Sequence, residues 1–303
     1  MTATDQARLT LGPLLFNWAP ERWRDFYLRI ADEAPLDTVC IGEVVCSKRL
    51  PFLAPHLPEV VERLASAGKE VVLSTLALIM TRREMDMVRE TVATEDFLIE
   101  ANDVAAIALL AGRPHVVGPI VNVLNEGTLG YLVRQGAIRV CLPVEINARA
   151  LRVLAGATEA ELEVQVFGRL PLALSARCYH ARSHGLSKHA CQYVCGEDPD
   201  GMVLETLDGE PFLAVNGIQT MSYTYASLLA ELPEMLAMGI RRFRLWPHTA
   251  DMVAVAGVFR DTLNGCLDAE EANARLTDLV GGTPFSNGYY HGHEGVALVT
   301  PAT

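Results

Sequence analysis

The chain has 303 residues, of which half are hydrophobic and a fifth are charged, and its formal net charge is -12. This composition is typical of a globular enzyme, and the length allows one large domain or two ordinary ones. The negative charge gives no electrostatic reason to expect nucleic acid or an anionic membrane surface as a partner. Its apolar runs are too short for a transmembrane segment, and the N-terminus lacks a secretory pattern, so we expect a cytoplasmic protein.

Apolar runs bounded by turn residues alternate with segments of helical period, which is the pattern of βα units around a parallel sheet. The first four predicted strands are LTLGPLLFN, DTVCIGE, EVVLSTLAL and DFLIEAN, and the helical segments after them cover about 20–34, 57–67, 81–93 and 103–111. The other predicted strands are PHVVGPIVN, AIRVCLPVE, LEVQVFGRL and IRRFRLWPH. Thr81, with Glu84 three residues later, predicts a capping box. Eight units predict an α/β fold, a TIM-like (β/α)8 barrel over residues 1–303 as a single domain, although a distorted barrel would give the same pattern.

The alternation stops between the seventh and eighth predicted strands. Residues 175–217 are rich in turn residues and contain two β-like pieces but no clear crossover helix. Cys178, Cys191 and Cys195 lie in this insertion with the spacing C-x12-C-x3-C. Long structured loops in a barrel are usual places for function, so we expect a cysteine-containing functional insertion here. The tail from 281 to 299, rich in glycine and aromatic residues, is predicted to be irregular and packed on the barrel.

The cysteines indicate a metal centre. Seven cysteines in a reducing compartment favour a metal over structural disulfides. Iron-sulfur clusters are held by thiolates, often with one ligand remote in sequence from the others. Cys40, in the second predicted strand, would be the remote fourth ligand beside the three cysteines of the insertion. Cys141 lies in an apolar strand and is expected to be a small buried hydrophobe.

Structural zinc is the alternative cofactor for the same segment, because zinc also accepts four thiolates or mixed cysteine and histidine sets. The histidines interleaved with the cysteines are His180, His184 and His189. The spacing of the residues by itself leaves both metals open.

Active sites of such barrels lie at the carboxyl ends of the strands. The polar residues that end the predicted strands are Asn17, Glu43, Thr75, Asn102, Asn122, Glu145, Arg169 and His248. Arg169 is a candidate to bind a substrate carboxylate, and its alternative role is a salt bridge that holds the insertion. Glu43 and His248 are candidate proton carriers, although a histidine beside Trp246 is more often a packed side chain.

The segment QVFGRLPLALSARCYHARSHGLSKHACQYVC, with TVCIGEVVCSKR upstream and FSNGYYHGHEG near the end, resembles the collagenase-like family of unassigned peptidases. The likeness runs over essentially the whole chain, and it is to the members that act in oxygen-independent ubiquinone biosynthesis. The resemblance implies a barrel-like fold and a 4Fe-4S cluster. The family pattern places one cluster cysteine in the early strand and three after GRLPL, which are here Cys40, Cys178, Cys191 and Cys195.

The same resemblance implies a partner and substrates. The partner is UbiU, a paralogue with its own cluster, in a heterodimer that hydroxylates the ubiquinone ring without O2. A ubiquinone precursor is the implied substrate, and prephenate is the suspected oxygen source in related members. A non-catalytic iron-sulfur partner in electron transfer or structure is an alternative, because the same four thiolates would serve it.

A hydrolase is the third hypothesis, suggested by the peptidase name of the family. Neither the H-E-x-x-H motif of metalloproteases nor the G-x-S-x-G motif of serine hydrolases occurs in the sequence. His291 and His293 would point in opposite directions in an extended segment. We therefore do not expect peptidase activity.

Overall fold

In the computed structural model, which describes residues 6–300, the first seven strands run parallel and each pairs with the next. They are β1 (Arg8–Leu11), β2 (Thr38–Ile41), β3 (Glu70–Ser74), β4 (Leu98–Ala101), β5 (His115–Val117), β6 (Ala137–Cys141) and β7 (Glu161–Leu174). Their central positions are fully buried, as expected for a parallel sheet covered by helices.

The insertion adds three antiparallel strands before the barrel closes. These strands are β8 (Met202–Glu205), β9 (Pro211–Asn216) and β10 (Gln219–Ser227), and β10 pairs with the outer half of β7. The next strand, β11 (Arg242–Leu245), pairs in parallel with both β7 and β1. This double pairing closes the eight-stranded barrel, so the prediction of a (β/α)8 fold is confirmed. The β-structure of the insertion continues to Ser227, beyond the predicted bound of 217.

Helices connect the strands and cover the barrel. They are α1 (Pro20–Glu33), α2 (Leu50–Leu53), α3 (Leu57–Ser66), α4 (Arg82–Val92), α5 (Val104–Leu109), α6 (Glu126–Arg134), α7 (Ala148–Ala155), α8 (Tyr179–Ser183), α9 (Leu232–Ala237), α10 (Met252–Leu263) and α11 (Ala269–Leu279). The capping box is confirmed, since Glu84 N donates to Thr81 Oγ1 at 3.2 Å and Thr81 N donates to Glu84 Oε2 at 3.0 Å. A last short strand, β12 (Phe285–Ser286), pairs with β10 and fixes the tail on the barrel. Within residues 6–300, none of the helices combines the length and apolar content needed to cross a bilayer.

The centre of the barrel contains a buried ion-pair network. Arg244 on β11 lies 2.5 Å from Glu100 on β4 and also contacts Glu163 on β7, and all three side chains are fully buried. Ser74 donates its hydroxyl to Glu100 at 2.7 Å, and Thr10 donates to Glu163 at 3.1 Å. Each buried carboxylate therefore has a cationic and a hydroxyl partner, which offsets the cost of removing it from water.

The amino-terminal end of the barrel has a second network, centred on Glu70. Glu70 accepts a hydrogen bond from Thr38 at 2.7 Å and lies 3.0 Å from Arg139 and 3.2 Å from Arg242. Burial alone would raise the pKa of Glu70, but Arg139, Thr38 and Arg242 together lower it by more, so that it falls to about 2.

This network predicts a pH-dependent loss of stability. Because the folded-state pKa of Glu70 lies below the unfolded value of about 4.3, its contribution is present above about pH 5 and is lost as the pH falls toward 2. Glu70→Gln is expected to lower the free energy of unfolding by about 1–2 kcal/mol at pH 7. Urea unfolding of both proteins at pH 7 and pH 3 measures the difference, which should shrink at pH 3. A difference that is the same at both pH values would contradict this account.

Candidate metal centre at the barrel mouth

The insertion leaves the barrel at a glycine. Gly168, in the middle of β7, has a φ of 109°, and a Cβ there would lie 2.8 Å from both Trp246 Cβ and His248 Nε2. Only glycine tolerates this backbone conformation and this closeness. The outer half of β7 thereby turns away from its barrel partner β11 and pairs with β10, which carries the insertion over the carboxyl ends of the strands.

The cysteine segment follows directly. Cys178 begins α8, and its Sγ accepts a hydrogen bond from Ala181 N at 3.4 Å. Cys195 lies in a short 3-10 turn, and the two residues before that turn, Gln192 and Tyr193, have φ values of 50° and 58°. Left-handed backbone is uncommon for residues with a Cβ, and here it reverses the chain tightly between Cys191 and Cys195.

Residues that follow β1 and β2 hold this segment in place. Lys48 Nζ donates to the carbonyl oxygens of Lys188 at 2.6 Å and His189 at 3.0 Å. Trp18 Nε1 donates to the carbonyl oxygen of Pro199 at 2.7 Å. The cysteines are therefore positioned by barrel loops as well as by the insertion itself.

Arg49 connects a fourth cysteine, Cys46, to this segment: Arg49 N donates to the carbonyl oxygen of Cys46 at 3.0 Å, and Arg49 Nη2 donates to Cys195 Sγ. Burial raises the pKa of the Cys178 thiol, and the neighbouring thiols of Cys195 and Cys191 raise it further. Burial also raises the pKa of Cys46, where Arg49 acts in the opposite direction and Cys195 adds to the increase. Cys46 lies in the loop after β2, at the carboxyl face of the barrel.

The structure does not bring Cys40 to the other cysteines. Its side chain lies inside the barrel, packed with Val72 and Val116, where Arg244 Nη2 donates to its sulfur at 3.7 Å. The reason is the strand itself, because Cys40 is in β2 with its side chain toward the interior, whereas the chain has left the strand before Cys46. The sequence TVCIGEVVCSKR contains both residues, and the Lys and Arg after Cys46 were the signal that could have distinguished them.

Two cations contact the sulfur atoms. Arg49 Nη2 donates to Cys195 Sγ at 3.5 Å, and Lys48 Nζ lies 4.0 Å from Cys191 Sγ. Arg49 is buried, with 2% of its surface exposed. Buried N–H donors and positive charge stabilise thiolates over thiols and set the potential of a cluster that thiolates hold. Within residues 6–300, no three His, Cys, Asp or Glu side chains are arranged as the ligands of one metal ion.

The histidines interleaved with the cysteines make contacts within the insertion or with Lys48. His180 is fully buried with Nε2 2.9 Å from Asp198 Oδ2. The ring of His184 stacks on that of His180 with centroids 5.6 Å apart, and His184 Nδ1 lies 3.0 Å from the carbonyl oxygen of His180. His189 is exposed, and its carbonyl oxygen is one of the acceptors of Lys48.

Glu43 shapes the loop that contains Cys46. Its Oε1 accepts from Val45 N at 2.8 Å and from Cys46 N at 2.7 Å, and it lies 3.9 Å from Arg49 Nη1. Burial raises the pKa of Glu43, while Arg49 and the two N–H groups lower it in part. These contacts give Glu43 a positioning role for the cysteine loop.

Arg169 and His248 fasten the insertion to the barrel. Arg169 donates from Nε to the carbonyl oxygen of Asp200 at 3.1 Å and from Nη1 to those of Ser222, at 3.0 Å, and Tyr223. Its guanidinium thus binds backbone oxygens of the insertion. His248 Nε2 accepts from Arg169 N at 3.0 Å, and burial lowers the pKa of this histidine. His248 is accordingly a neutral, packed side chain.

Comparison with known proteins places the chain in a family. The model of peptidase family U32 matches residues 22–300. A structure of the U32 peptidase Mk0906 has a TM-score of 0.46 and 12% identity, over 80% of this chain and 93% of that one. Dihydropteroate synthase (FolP) from Thermus thermophilus has a TM-score of 0.45 and 18% identity, over 86% and 94% of the two chains. Truncated 3-deoxy-D-arabino-heptulosonate 7-phosphate synthase from Thermotoga maritima has a TM-score of 0.46 and 11% identity, over 93% and 90%. Since the family model matches nearly the whole sequence, the chain belongs to peptidase family U32.

Proposed function

We propose that this chain acts as UbiV does, as the iron-sulfur subunit for O2-independent hydroxylation of the ubiquinone ring, together with UbiU. The observation that carries the proposal is the position of two cations at the barrel mouth, where Arg49 Nη2 donates to Cys195 Sγ, Lys48 Nζ lies 4.0 Å from Cys191 Sγ, and Arg49 N donates to the carbonyl oxygen of Cys46. The sequence around Cys191 and Cys195 is part of the segment that resembles UbiV.

The proposed cofactor is a 4Fe-4S cluster, and the residues fit it. In such a cluster each thiolate binds a different iron of a cube, so the ligands surround a volume and do not meet at one point. Cys46, Cys178, Cys191 and Cys195 are the proposed ligands. Lys48 and Arg49 would partly neutralise the charge of four thiolates, and the buried position of Arg49 makes its contribution strong.

When bound, the cluster would supply electron-transfer or oxygen-transfer chemistry. The chain would exclude water and fix the environment of the cluster. Arg169 and His248 hold the insertion against the barrel, Glu43 fixes the loop of Cys46, and Arg49 sets the charge beside Cys195.

A gene deletion tests this function. The deletion is expected to abolish ubiquinone synthesis under anoxia and to spare it in air, and the chain should co-elute with UbiU as about one copy of each. Complementation with Cys191→Ser should fail, because a cluster ligand is lost, whereas Cys266→Ser should restore synthesis, because Cys266 is exposed. Unchanged anaerobic ubiquinone in the deletion strain would refute the proposal.

A further inference from the structure

An open groove of about 830 Å³ lies beside the cysteines of the insertion. Its walls come from the loop after β2, from the start of α4 and from the insertion. Its Lys and Arg side chains are Lys48, Arg83, Arg177, Arg182 and Lys188, and we call it the basic groove.

The charge of the basic groove is opposite to that of the chain as a whole. Among the described residues, it is lined by five of the 25 Lys and Arg residues but by only one of the 37 Asp and Glu residues, which is Glu84. The carboxylate of Glu84 is used within the chain, since it accepts hydrogen bonds from Ser47 Oγ at 2.8 Å and from Met80 N at 2.9 Å. A positive groove on a chain of net charge -12 favours a negatively charged partner.

Three cations of the basic groove are exposed and unpaired. Arg83, Arg177 and Arg182 are exposed, and within residues 6–300 their guanidinium groups make no ion pair or hydrogen bond. Elsewhere on the surface, Arg63 and Arg89 form ion pairs with acidic residues at 2.7 Å and 2.8 Å. The groove therefore presents guanidinium groups that are free to bind carboxylates of another molecule.

The basic groove adjoins the cysteines. Cys178 is one of its lining residues, and Lys48, which is another, has its Nζ 4.0 Å from Cys191 Sγ. Lys48 Nζ also donates to the carbonyl oxygens of Lys188 and His189, two further lining residues. A molecule bound in the groove would therefore lie against the segment that holds the proposed cluster.

We propose that the basic groove is the docking site of an acidic electron-transfer protein, whose surface carboxylates pair with Arg83, Arg177 and Arg182. Complexes of electron carriers have small interfaces, and opposite charges guide their association. Small-molecule sites bury most of their ligand, whereas these three arginines are exposed to solvent, which favours a protein surface as the partner. This inference rests on the proposed function, since the proposed cluster is the reason to expect an electron carrier.

Flavodoxin, a small acidic protein that carries FMN, is the probe. It is titrated at low salt into the anaerobically purified complex with UbiU, and binding is measured by calorimetry. We expect flavodoxin to bind, and the double variant Arg177→Glu with Arg182→Glu to weaken its binding by at least about tenfold. The matched control is Arg134→Glu with Arg149→Glu, which makes the same change in net charge at exposed positions of α6 and α7. This control should bind flavodoxin as the natural chain does.

A second variant guards against misfolding of the insertion. Arg83 is on α4, so Arg83→Glu leaves the insertion unchanged, and it should weaken flavodoxin binding by about threefold or more. No binding of flavodoxin to the natural complex, or equal weakening by the two double variants, would overturn the proposal.

Two further outcomes would assign the basic groove to a different occupant and so also overturn the proposal. Loss of co-elution with UbiU in Arg177→Glu with Arg182→Glu would assign the groove to UbiU. Displacement of flavodoxin by citrate, at an ionic strength where sodium chloride has no effect, would assign it to a small anion. Iron analysis of the same samples separates this test from that of the proposed function, since flavodoxin binding without iron would refute only the cofactor, and iron without flavodoxin binding would refute only the docking site.

Discussion

Cys46→Ala is expected to remove most of the iron from the anaerobically purified protein, whereas Cys40→Ala is expected to retain about four irons per chain. Cys46 is joined to Cys195 through Arg49, whose N donates to the Cys46 carbonyl oxygen and whose Nη2 donates to Cys195 Sγ. If Cys46 is a ligand, its loss leaves three ligands and one iron without a thiolate. The thiol of Cys40 lies inside the barrel against Arg244, Val72 and Val116. Its removal should cost only a packing contribution of about 1–2 kcal/mol.

Iron and sulfide analysis, with the visible absorption spectrum, measures this difference. Cys141→Ala is the matched control, because Cys141 is also fully buried in a barrel strand and should likewise retain the cluster. Iron loss from Cys40→Ala with retention in Cys46→Ala would restore Cys40 as the ligand. If the natural chain contained stoichiometric zinc and no sulfide, the bound metal would be zinc and not an iron-sulfur cluster.

Arg244→Met is expected to destabilise the fold by about 3–5 kcal/mol at pH 7, the cost of leaving a buried charge without its partner. Met has a similar length and is apolar, so the substitution removes the positive charge while changing the side-chain volume little. In the natural chain, burial alone would raise the pKa of Glu163, and Arg244 is the largest of the influences that bring it below its usual value. Without Arg244, burial dominates and the carboxyl group would take up a proton.

The pH dependence distinguishes this account from a packing defect. In Arg244→Met the folded-state pKa of Glu163 would lie above its unfolded value, so the folded state binds more protons and stability falls as the pH rises. The destabilisation measured by urea unfolding should therefore be smaller at pH 5 than at pH 8. Arg29→Ala is the surface control, since Arg29 is about half exposed and pairs with Glu33 and Asp251 at 2.9 Å, and it should cost less than about 1 kcal/mol. An Arg244→Met effect as small as that of Arg29→Ala would contradict the assigned role of the network.

The barrel could be predicted from local pattern. Parallel strands buried on both faces read as short apolar runs, and helices between them show helical period, so all eight barrel strands and the capping box of Thr81 and Glu84 were evident. The cysteines of the insertion stood out for a similar reason, because turn residues without helical period mark an irregular loop. The antiparallel strand β10 was not predicted, since its pairing with β7 depends on a turn at Gly168 that only the folded barrel requires.

The site depended on contacts that the sequence does not display. A strand residue and a loop residue six positions apart look alike in TVCIGEVVCSKR, and only the closed barrel sends Cys40 inward and Cys46 to the mouth. The contacts of Arg169 could not be predicted either, because its guanidinium donates to backbone carbonyl oxygens of the insertion and not to a carboxylate of the chain. The sequence alone determined the fold class, the cysteine insertion and the family resemblance, since these depend on local periodicity and motif. The tertiary structure decided which side chains meet, because residues as distant as Arg49, Cys195 and Gln219 become neighbours only when the barrel closes and the insertion folds over its mouth.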